Sequence, residues 1–291
     1  MKRAFVCCAA LALLVPSGRM MAASSNSQSS AHVSQGTLKF ADGSRYKGDL
    51  VNKVPQGKGV MTFPDGNRYE GDFQGGAMEG KGLLRYANGD TYEGDFKGGK
   101  RHGQGVLIRA AQGTICTYTG TFVDDRAEGK AIQELKGMFT IEAECRDGLA
   151  YGPGVRTYVN GDKFVGEFKP GNHHYKGAYI WANGDKYEGP FDGNLPHGSG
   201  VKTFANGDRY TGDFSHGKLE GVGVFAFANG TEYKGDFKQD RMEGKGILTF
   251  PDKSFYEGDF KADKMDGKGV FVAADGKKTA GTFKDGQFAG E

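Results

Sequence analysis

The sequence predicts an all-β fold, an elongated single domain built as a repeat array of stacked antiparallel β-hairpins. Two observations predict it. A five-residue motif, Tyr-Glu-Gly-Asp-Phe at 69–73, returns with small changes along the chain. An Asn-Gly or Asp-Gly pair, which accepts the backbone angles of tight strand-reversing turns, lies shortly before most copies.

The copies of the motif follow a fixed period. They begin at residues 46, 69, 92, 118, 164, 187, 210, 233, 256 and 279. Every step is 23 residues except 92 to 118, which is 26, and 118 to 164, which is twice 23. A degraded copy, Ile-Glu-Ala-Glu-Cys, begins at 141, as the doubled step requires. The chain therefore holds eleven copies of one unit, the fifth degenerate and the last truncated, and such a period is the signature of a repeat array.

Within the motif, Tyr69, Gly71 and Phe73 alternate with Glu70 and Asp72, so a strand places the two sets on opposite sides. One hairpin cannot bury its own apolar face, so we expect each ring to pack on the equivalent ring of the next unit. The predicted repeat core comprises Tyr69, Gly71, Phe73, Tyr92, Gly94, Phe96, Tyr210, Gly212, Phe214, Tyr233, Gly235, Phe237, Tyr256, Gly258 and Phe260.

A second strand is predicted over residues 60–63, preceded by Gly57 and Gly59. Glycine at these positions indicates that a neighbouring backbone or ring comes too close for a side chain. The inward face of this strand stays open, because Val60 and Phe63 lie on opposite sides. No apolar period of 3.6 residues persists, so we expect no helices.

The N-terminal stretch has the three parts of a secretory signal. A basic start at 1–3 is followed by an apolar run over 4–15 and then by small residues. The run is too short to span a bilayer, although a retained anchor helix is the alternative. We therefore expect a signal peptide at 1–23, a Ser-rich flexible linker at 24–35 and the repeats at 36–291. The mature protein would be exported, to the periplasm or the exterior.

Charge excludes one class of partner. The formal net charge is +2, and removal of the predicted leader leaves 35 basic against 36 acidic residues. A chain so near neutrality lacks the electrostatic footprint of a nucleic-acid-binding protein. The same balance argues against attraction of the whole surface to anionic lipid, while a local patch remains open.

The unit Tyr-x-Gly-Asp-Phe, followed by Gly-x-Gly, a hydrophobic strand and Asn-Gly, resembles the MORN (membrane occupation and recognition nexus) repeat over residues 36–291. The leader makes it similar to an exported bacterial type. The resemblance implies a ribbon of stacked β-hairpins that acts as a scaffold, with membrane or phospholipid association proposed for some members. Other members carry kinase or methyltransferase domains, and none is visible in this sequence.

The repeats depart from the pattern in three places. Three extra residues at 109–117 are expected to enlarge the loop of the fourth repeat. Over 131–144, Ala131 replaces a glycine and Ile141 a tyrosine. At 172–175, Tyr175 replaces the first glycine of a pair. Each departure is interpreted as neutral loop variation or as a kink or docking site.

The third departure supplies the candidate irregular docking region, His173, His174, Tyr175 and Trp181. Adjacent histidines diverge on a strand and do not readily share a metal, so we predict no metal site and no cofactor. Trp181 takes a position held elsewhere by phenylalanine, which favours a core role over ligand stacking.

Cys116 and Cys145 are the cysteines left after leader removal, and an exported protein meets an oxidising compartment. They lie in neighbouring repeats, so a disulfide is possible. A strict stack would separate their Cα atoms beyond the ~7 Å limit, and the irregular repeats distort that region. The bond therefore stays open.

No catalytic constellation stands out from the array. The repeated aspartates, such as Asp72 and Asp95, should lie about 9.5 Å apart, too far for one metal to bridge. We interpret them as a solvated strand face. The sequence therefore predicts a non-enzymatic scaffold that binds an extended protein partner, or a further copy of itself, through a face of repeating aromatic and charged side chains. Phospholipid binding and glycan or cell-wall binding are the alternatives.

Overall fold

The computed structural model describes residues 32–111, 113–169 and 174–291. These residues form 24 β-strands and no helix, so the all-β prediction is confirmed. The predicted signal peptide lies outside the described residues, as does the predicted linker up to residue 31, whereas its last two residues, Ser34 and Gln35, begin the first strand. Among the described residues, no helix is long and apolar enough to cross a membrane.

The chain divides into two compact units, residues 1–159 and 160–291. The strands of the first unit are β1 (Ser34–Lys39), β2 (Arg45–Val51), β3 (Val54–Thr62), β4 (Arg68–Gln74), β5 (Ala77–Arg85), β6 (Thr91–Lys97), β7 (Lys100–Ala111), β8 (Thr114–Val123), β9 (Arg126–Leu135), β10 (Phe139–Arg146) and β11 (Leu149–Tyr158). β2 to β10 each pair antiparallel with the strands before and after them in sequence, in the manner of β3 with β2 and β4, while β1 pairs with β2 and β11 with β10.

The second unit continues the same pattern. Its strands are β12 (Lys163–Phe168), β13 (His174–Ile180), β14 (Lys186–Asp192), β15 (Leu195–Pro196), β16 (Gly198–Thr203), β17 (Arg209–Ser215), β18 (Lys218–Ala226), β19 (Glu232–Lys238), β20 (Arg241–Thr249), β21 (Phe255–Lys261), β22 (Lys264–Val272), β23 (Lys278–Lys284) and β24 (Gln287–Gly290). Consecutive strands again pair antiparallel except β15 and β16, which both pair with β14.

The second strand of each repeat is longer than the sequence predicts. β3 begins at Val54, so Gly57 and Gly59 lie inside it rather than before it. The pairing with β2 shifts between Gly48 and Leu50, and Gly57 has a φ of 67° at this β-bulge. The bulge lets the strand bend and continue, which is why a glycine pair does not interrupt it.

Two kinds of turn join the strands. At the Asp-Gly turn, Gly66 has a φ of 87° and its N–H donates to the Phe63 carbonyl at 3.0 Å. At the opposite end of the strands, a two-residue turn places both residues at positive φ, as at Asn52 (51°) and Lys53 (62°). Two successive residues of positive φ match the twist of a tight hairpin.

Side chains also link successive Asp-Gly or Asn-Gly turns. The Ala87 N–H donates to Asn67 Oδ1 at 2.9 Å, one turn earlier in the array. Where the next turn begins with Pro251, which has no N–H, the matching position holds Thr231 instead of Asp or Asn. Repeats with Asn or Asp at this position therefore fix their neighbours through the turns as well as through the strand ladder.

The extra residues at 109–117 do not enlarge a loop, so that expectation is wrong. They lengthen β7 and β8, and Arg109 pairs with Cys116 and Ala110 with Ile115. Added residues that can pair as strand extend a hairpin, because each pair satisfies backbone hydrogen bonds that a wider loop would leave to water.

Candidate functional site

The rings of the regular repeats form a buried row in each unit. Tyr69 contacts Phe73 of its own repeat edge-on at 5.1 Å and Phe96 of the next at 4.8 Å between ring centroids. The second unit repeats this geometry, with Tyr210 at 5.1 Å from Phe214 and 4.9 Å from Phe237. The tyrosines with no exposed surface are Tyr46, Tyr69, Tyr92, Tyr187, Tyr210, Tyr233 and Tyr256. The expectation that aromatic side chains are displayed to a partner is therefore wrong.

Each fully buried tyrosine ring lies against two glycines. The Tyr69 hydroxyl donates to the Asp72 carbonyl at 2.9 Å, which draws the ring across Gly71 and Gly82. A Cβ on Gly82 would stand 2.3 Å from the ring. Burial raises the pKa of the phenol in the equivalent Tyr187 to about 12, so the hydroxyl remains a neutral donor. The glycines of Tyr-x-Gly and Gly-x-Gly thus make room for one ring.

The opposite face carries the charged and aliphatic side chains. Val60 pairs with Glu70, and Lys58 with Asp72, on the side of the sheet away from the rings. Met61, which alternates with Val60, is buried on the ring side at 7% exposure. This settles the question that the sequence left open: the valine faces outward.

The outward face is hollow along the glycine pairs and forms an open groove in each unit. The groove of the first unit encloses about 1380 Å³ and that of the second about 990 Å³. One aliphatic side chain per repeat lies along its floor, and we call these residues the floor row. The floor row comprises Val60, Leu83 and Val106 in the first unit and Ile247 and Val270 in the second.

Lysine–aspartate pairs line one side of the groove. Lys81 Nζ lies 2.6 Å from Asp95, and Lys58 Nζ lies 2.6 Å from Asp72. The same aspartates also accept backbone N–H groups from the bulge, as Asp95 does from Gln104 at 2.9 Å. The hydrogen bond from Lys81 holds the pKa of Asp95 below its usual value. These carboxylates, interpreted from the sequence as a solvated face, therefore fix the bulge and the neighbouring strand.

The degenerate fifth repeat replaces rings with smaller groups. Cys145 stands at a phenylalanine position, and the Gln133 amide donates to its sulfur at 3.1 Å and to the Gly148 carbonyl at 3.0 Å. A cavity of about 30 Å³ remains beside Cys116. Both cysteines are buried thiols in this structure, and burial raises the pKa of Cys145 to about 11. The disulfide between them stays a prediction.

Of the candidate docking residues, Trp181 is the one whose side chain the structure describes. His173 lies outside the described residues, and of His174 and Tyr175 only the backbone is described, within β13. Trp181 follows Tyr179, whose strand partner is the buried Tyr187, so both residues lie on the ring side. Trp181 is half-buried and packs on Tyr179 at 4.8 Å. Trp181, one residue beyond the end of β13, therefore lies on the face of the sheet opposite the groove side.

One buried ion pair was missed by the sequence reasoning. Arg101 stands 23 residues after Met78, at an apolar position, and is 5% exposed. Its Nε donates to Asp125 Oδ1 at 3.1 Å and its Nη2 to the Asp125 carbonyl at 2.7 Å. A charge at a core position of the repeat was the signal that could have found it. Among the described residues, no group of three His, Cys, Asp or Glu could hold a metal.

One buried ring face and one open face, repeated along the chain, define a class of repeat scaffold. The chain belongs to the MORN repeat family. The family model matches residues 46–68, 69–91, 92–114, 118–134, 146–163, 164–186, 187–209, 210–232, 233–255 and 256–278. The unmatched residues 135–145 include the degraded motif of the fifth repeat, the rest of which is matched at 146–163, and the truncated copy after 278 is not matched.

No curated protein matches the chain. Among solved structures, the TCP domain of SAS-4 from Drosophila melanogaster, in complex with a proline-rich motif of Ana2, is 16% identical with a TM-score of 0.30; the alignment covers 74% of this chain and 94% of that one. A catalytically inactive virginiamycin B lyase from Staphylococcus aureus, with quinupristin, is 13% identical with a TM-score of 0.14; the alignment covers 87% of this chain and 75% of that one. A streptogramin B lyase is 10% identical with a TM-score of 0.15; the alignment covers 86% of this chain and 83% of that one. Scores this low support no conclusion about function.

Proposed function

We propose that this protein is a non-enzymatic scaffold that binds an extended segment of a partner protein along the groove. The observation that carries the proposal is the recurrence of one aliphatic side chain beside one glycine pair in every regular repeat of the groove. Equal weak sites in a row suit a partner that contacts several of them at once, because each further contact is intramolecular.

Membership of the MORN family supports a scaffold role associated with proteins or membranes. The motif rings are buried, whereas the groove is a repetitive surface that a partner can reach. The proposal assigns no catalytic residue and no cofactor. We also propose that the protein works outside the cytoplasm, and the basic, apolar and small-residue pattern of residues 1–23 supports this.

The test places a charge in the groove. In the double variant Leu83→Lys, Val106→Lys, two desolvated ammonium groups on the floor row should weaken capture of protein partners from an envelope extract by at least about tenfold. The matched control is Val54→Lys, because Val54 is 39% exposed and is not part of the groove lining. Thermal unfolding of both variants checks that the fold is retained.

Equal capture by the double variant and the control would contradict the proposal. Flotation of the wild-type protein with anionic vesicles distinguishes the lipid alternative. Vesicle binding that persists in the double variant, together with unchanged protein capture, would assign the function to another surface.

A further inference from the structure

The groove floor offers no backbone hydrogen bonds to an occupant. Leu83 pairs with Glu70 on one side and with Glu93 on the other, and Gly71 pairs with Gly59 and with Gly82. The N–H and C=O groups of these strands are therefore used within the sheet. A chain that crosses the strands cannot bind as an added β-strand, which takes its affinity from main-chain hydrogen bonds.

Pairs of opposite charge lie beside the floor row. Lys81 pairs with Asp95 at 2.6 Å, and Arg68 Nη1 lies 2.9 Å from Glu70. An occupant of high charge of either sign would have to displace these pairs. Charge complementarity therefore favours an uncharged segment.

The spacing of the floor row selects one backbone conformation. Val60, Leu83 and Val106 lie on β3, β5 and β7, so successive members are separated by two strand spacings, about 9.6 Å. Three residues of polyproline II advance about 9.3 Å, whereas same-side residues of a β-strand recur at about 6.8 Å. One turn of α-helix advances about 5.4 Å. Of these, a polyproline II segment stays in phase with the repeats.

We infer that the partner segment is an uncharged, proline-rich polyproline II stretch with an apolar residue at every third position. This inference rests on the proposed function and names the chemistry of its ligand. Each apolar residue seats against one member of the floor row. Proline has no N–H to lose its water over a groove floor whose backbone carbonyls are already paired within the sheet, and its fixed φ lowers the entropy lost on binding.

The test uses the full chain and two fluorescein-labelled peptides of identical composition. One is (Pro-Pro-Leu)5, and the other places the same five leucines at irregular spacings. Fluorescence anisotropy should show the regular peptide binding at least about tenfold more tightly, because only its leucines reach three floor-row sites together. Leu83→Ser with Val106→Ser should weaken that binding by at least about tenfold. Val54→Ser, the matched control, should leave it unchanged.

Each other outcome overturns a defined claim. If the two peptides bind equally and the Leu83→Ser, Val106→Ser variant still loses that binding, the claim that apolar residues are needed at every third position is overturned. Tighter binding of (Pro-Lys-Leu)5 or (Pro-Glu-Leu)5 overturns the uncharged ligand. Failure of (Pro-Pro-Leu)5 to bind, while the Leu83→Lys, Val106→Lys variant still loses its native partner, overturns the inference and leaves the proposed function standing. Unchanged native capture in that lysine variant overturns the proposed function itself.

Discussion

Replacing Tyr210 with alanine is expected to lower the free energy of unfolding by about 3–5 kcal/mol, the range for removing a large buried aromatic side chain. Tyr210 has no exposed surface and contacts rings of its own repeat and the next. Its removal leaves a cavity and breaks the row at one point, and neighbouring repeats have no other core to compensate. Chemical denaturation followed by circular dichroism measures the loss.

A second variant and a control separate the contribution of the Tyr210 ring to stability from that of its hydroxyl. Tyr210→Phe keeps the ring and removes the hydrogen bond to the Asp213 carbonyl, so the expected loss is about 1 kcal/mol. Tyr151→Ala is the control, because Tyr151 is 43% exposed, and we expect a change within about 0.5 kcal/mol. A loss at Tyr210 no larger than that at Tyr151 would refute the role of the ring row.

The second large effect is expected from adding a single methyl group. In Gly223→Ala, the new Cβ would stand 2.4 Å from the ring of Tyr210. Overpacking of this kind costs about 1–3 kcal/mol, because the ring is held by the hydroxyl and by two neighbouring phenylalanines. Chemical denaturation again gives the loss.

The double variant Tyr210→Ala, Gly223→Ala tests the mechanism. With the ring absent, the methyl group has space. The double variant should therefore lose less unfolding free energy than the sum of the losses in the two single variants. Strictly additive losses would mean that the methyl group clashes with something other than the ring.

The chain itself contains a natural counterpart of this substitution. Ala131 replaces the second glycine beneath Tyr118, and a Cβ on Gly120 would meet Ala131 at 2.8 Å, whereas a Cβ on the matching Gly71 would meet the Tyr69 hydroxyl at 2.5 Å. Tyr118 is also 6% exposed where the regular tyrosines are fully buried. One displaced ring is thus tolerated in the array, at the repeat whose neighbour has lost its own tyrosine.

Much of the fold follows from local chemistry in the sequence. The alternation of Tyr69, Gly71 and Phe73 predicts a strand with one apolar side, and Asp65-Gly66 predicts a turn, because each signal lies within a few residues. The second turn could not be predicted. Its positive φ angles are adopted by Asn52-Lys53 in one repeat and by Ala262-Asp263 in another, so no residue type identifies it.

The candidate site was less predictable than the fold, because it depends on register. Whether Val60 or its neighbour faces outward is decided by pairing with Glu70 and by the bulge at Gly57, and neither is visible in the pattern of one strand. The motif also does not show which side of the strand is exposed. Its tyrosines look suited to recognition but are buried in the core. The groove becomes apparent only once the rings are placed.

The most direct test of the central claim, that the ring face is internal and the groove meets the partner, is site-specific photocrosslinking. A benzoylphenylalanine at Leu83 in the groove is compared with one at Lys53 in the opposite turn and one at the half-buried Trp181 on the ring side. Crosslinks to the partner from position 83, with none from 53 or 181, are the predicted result. Crosslinks from position 181 and none from position 83 would contradict it.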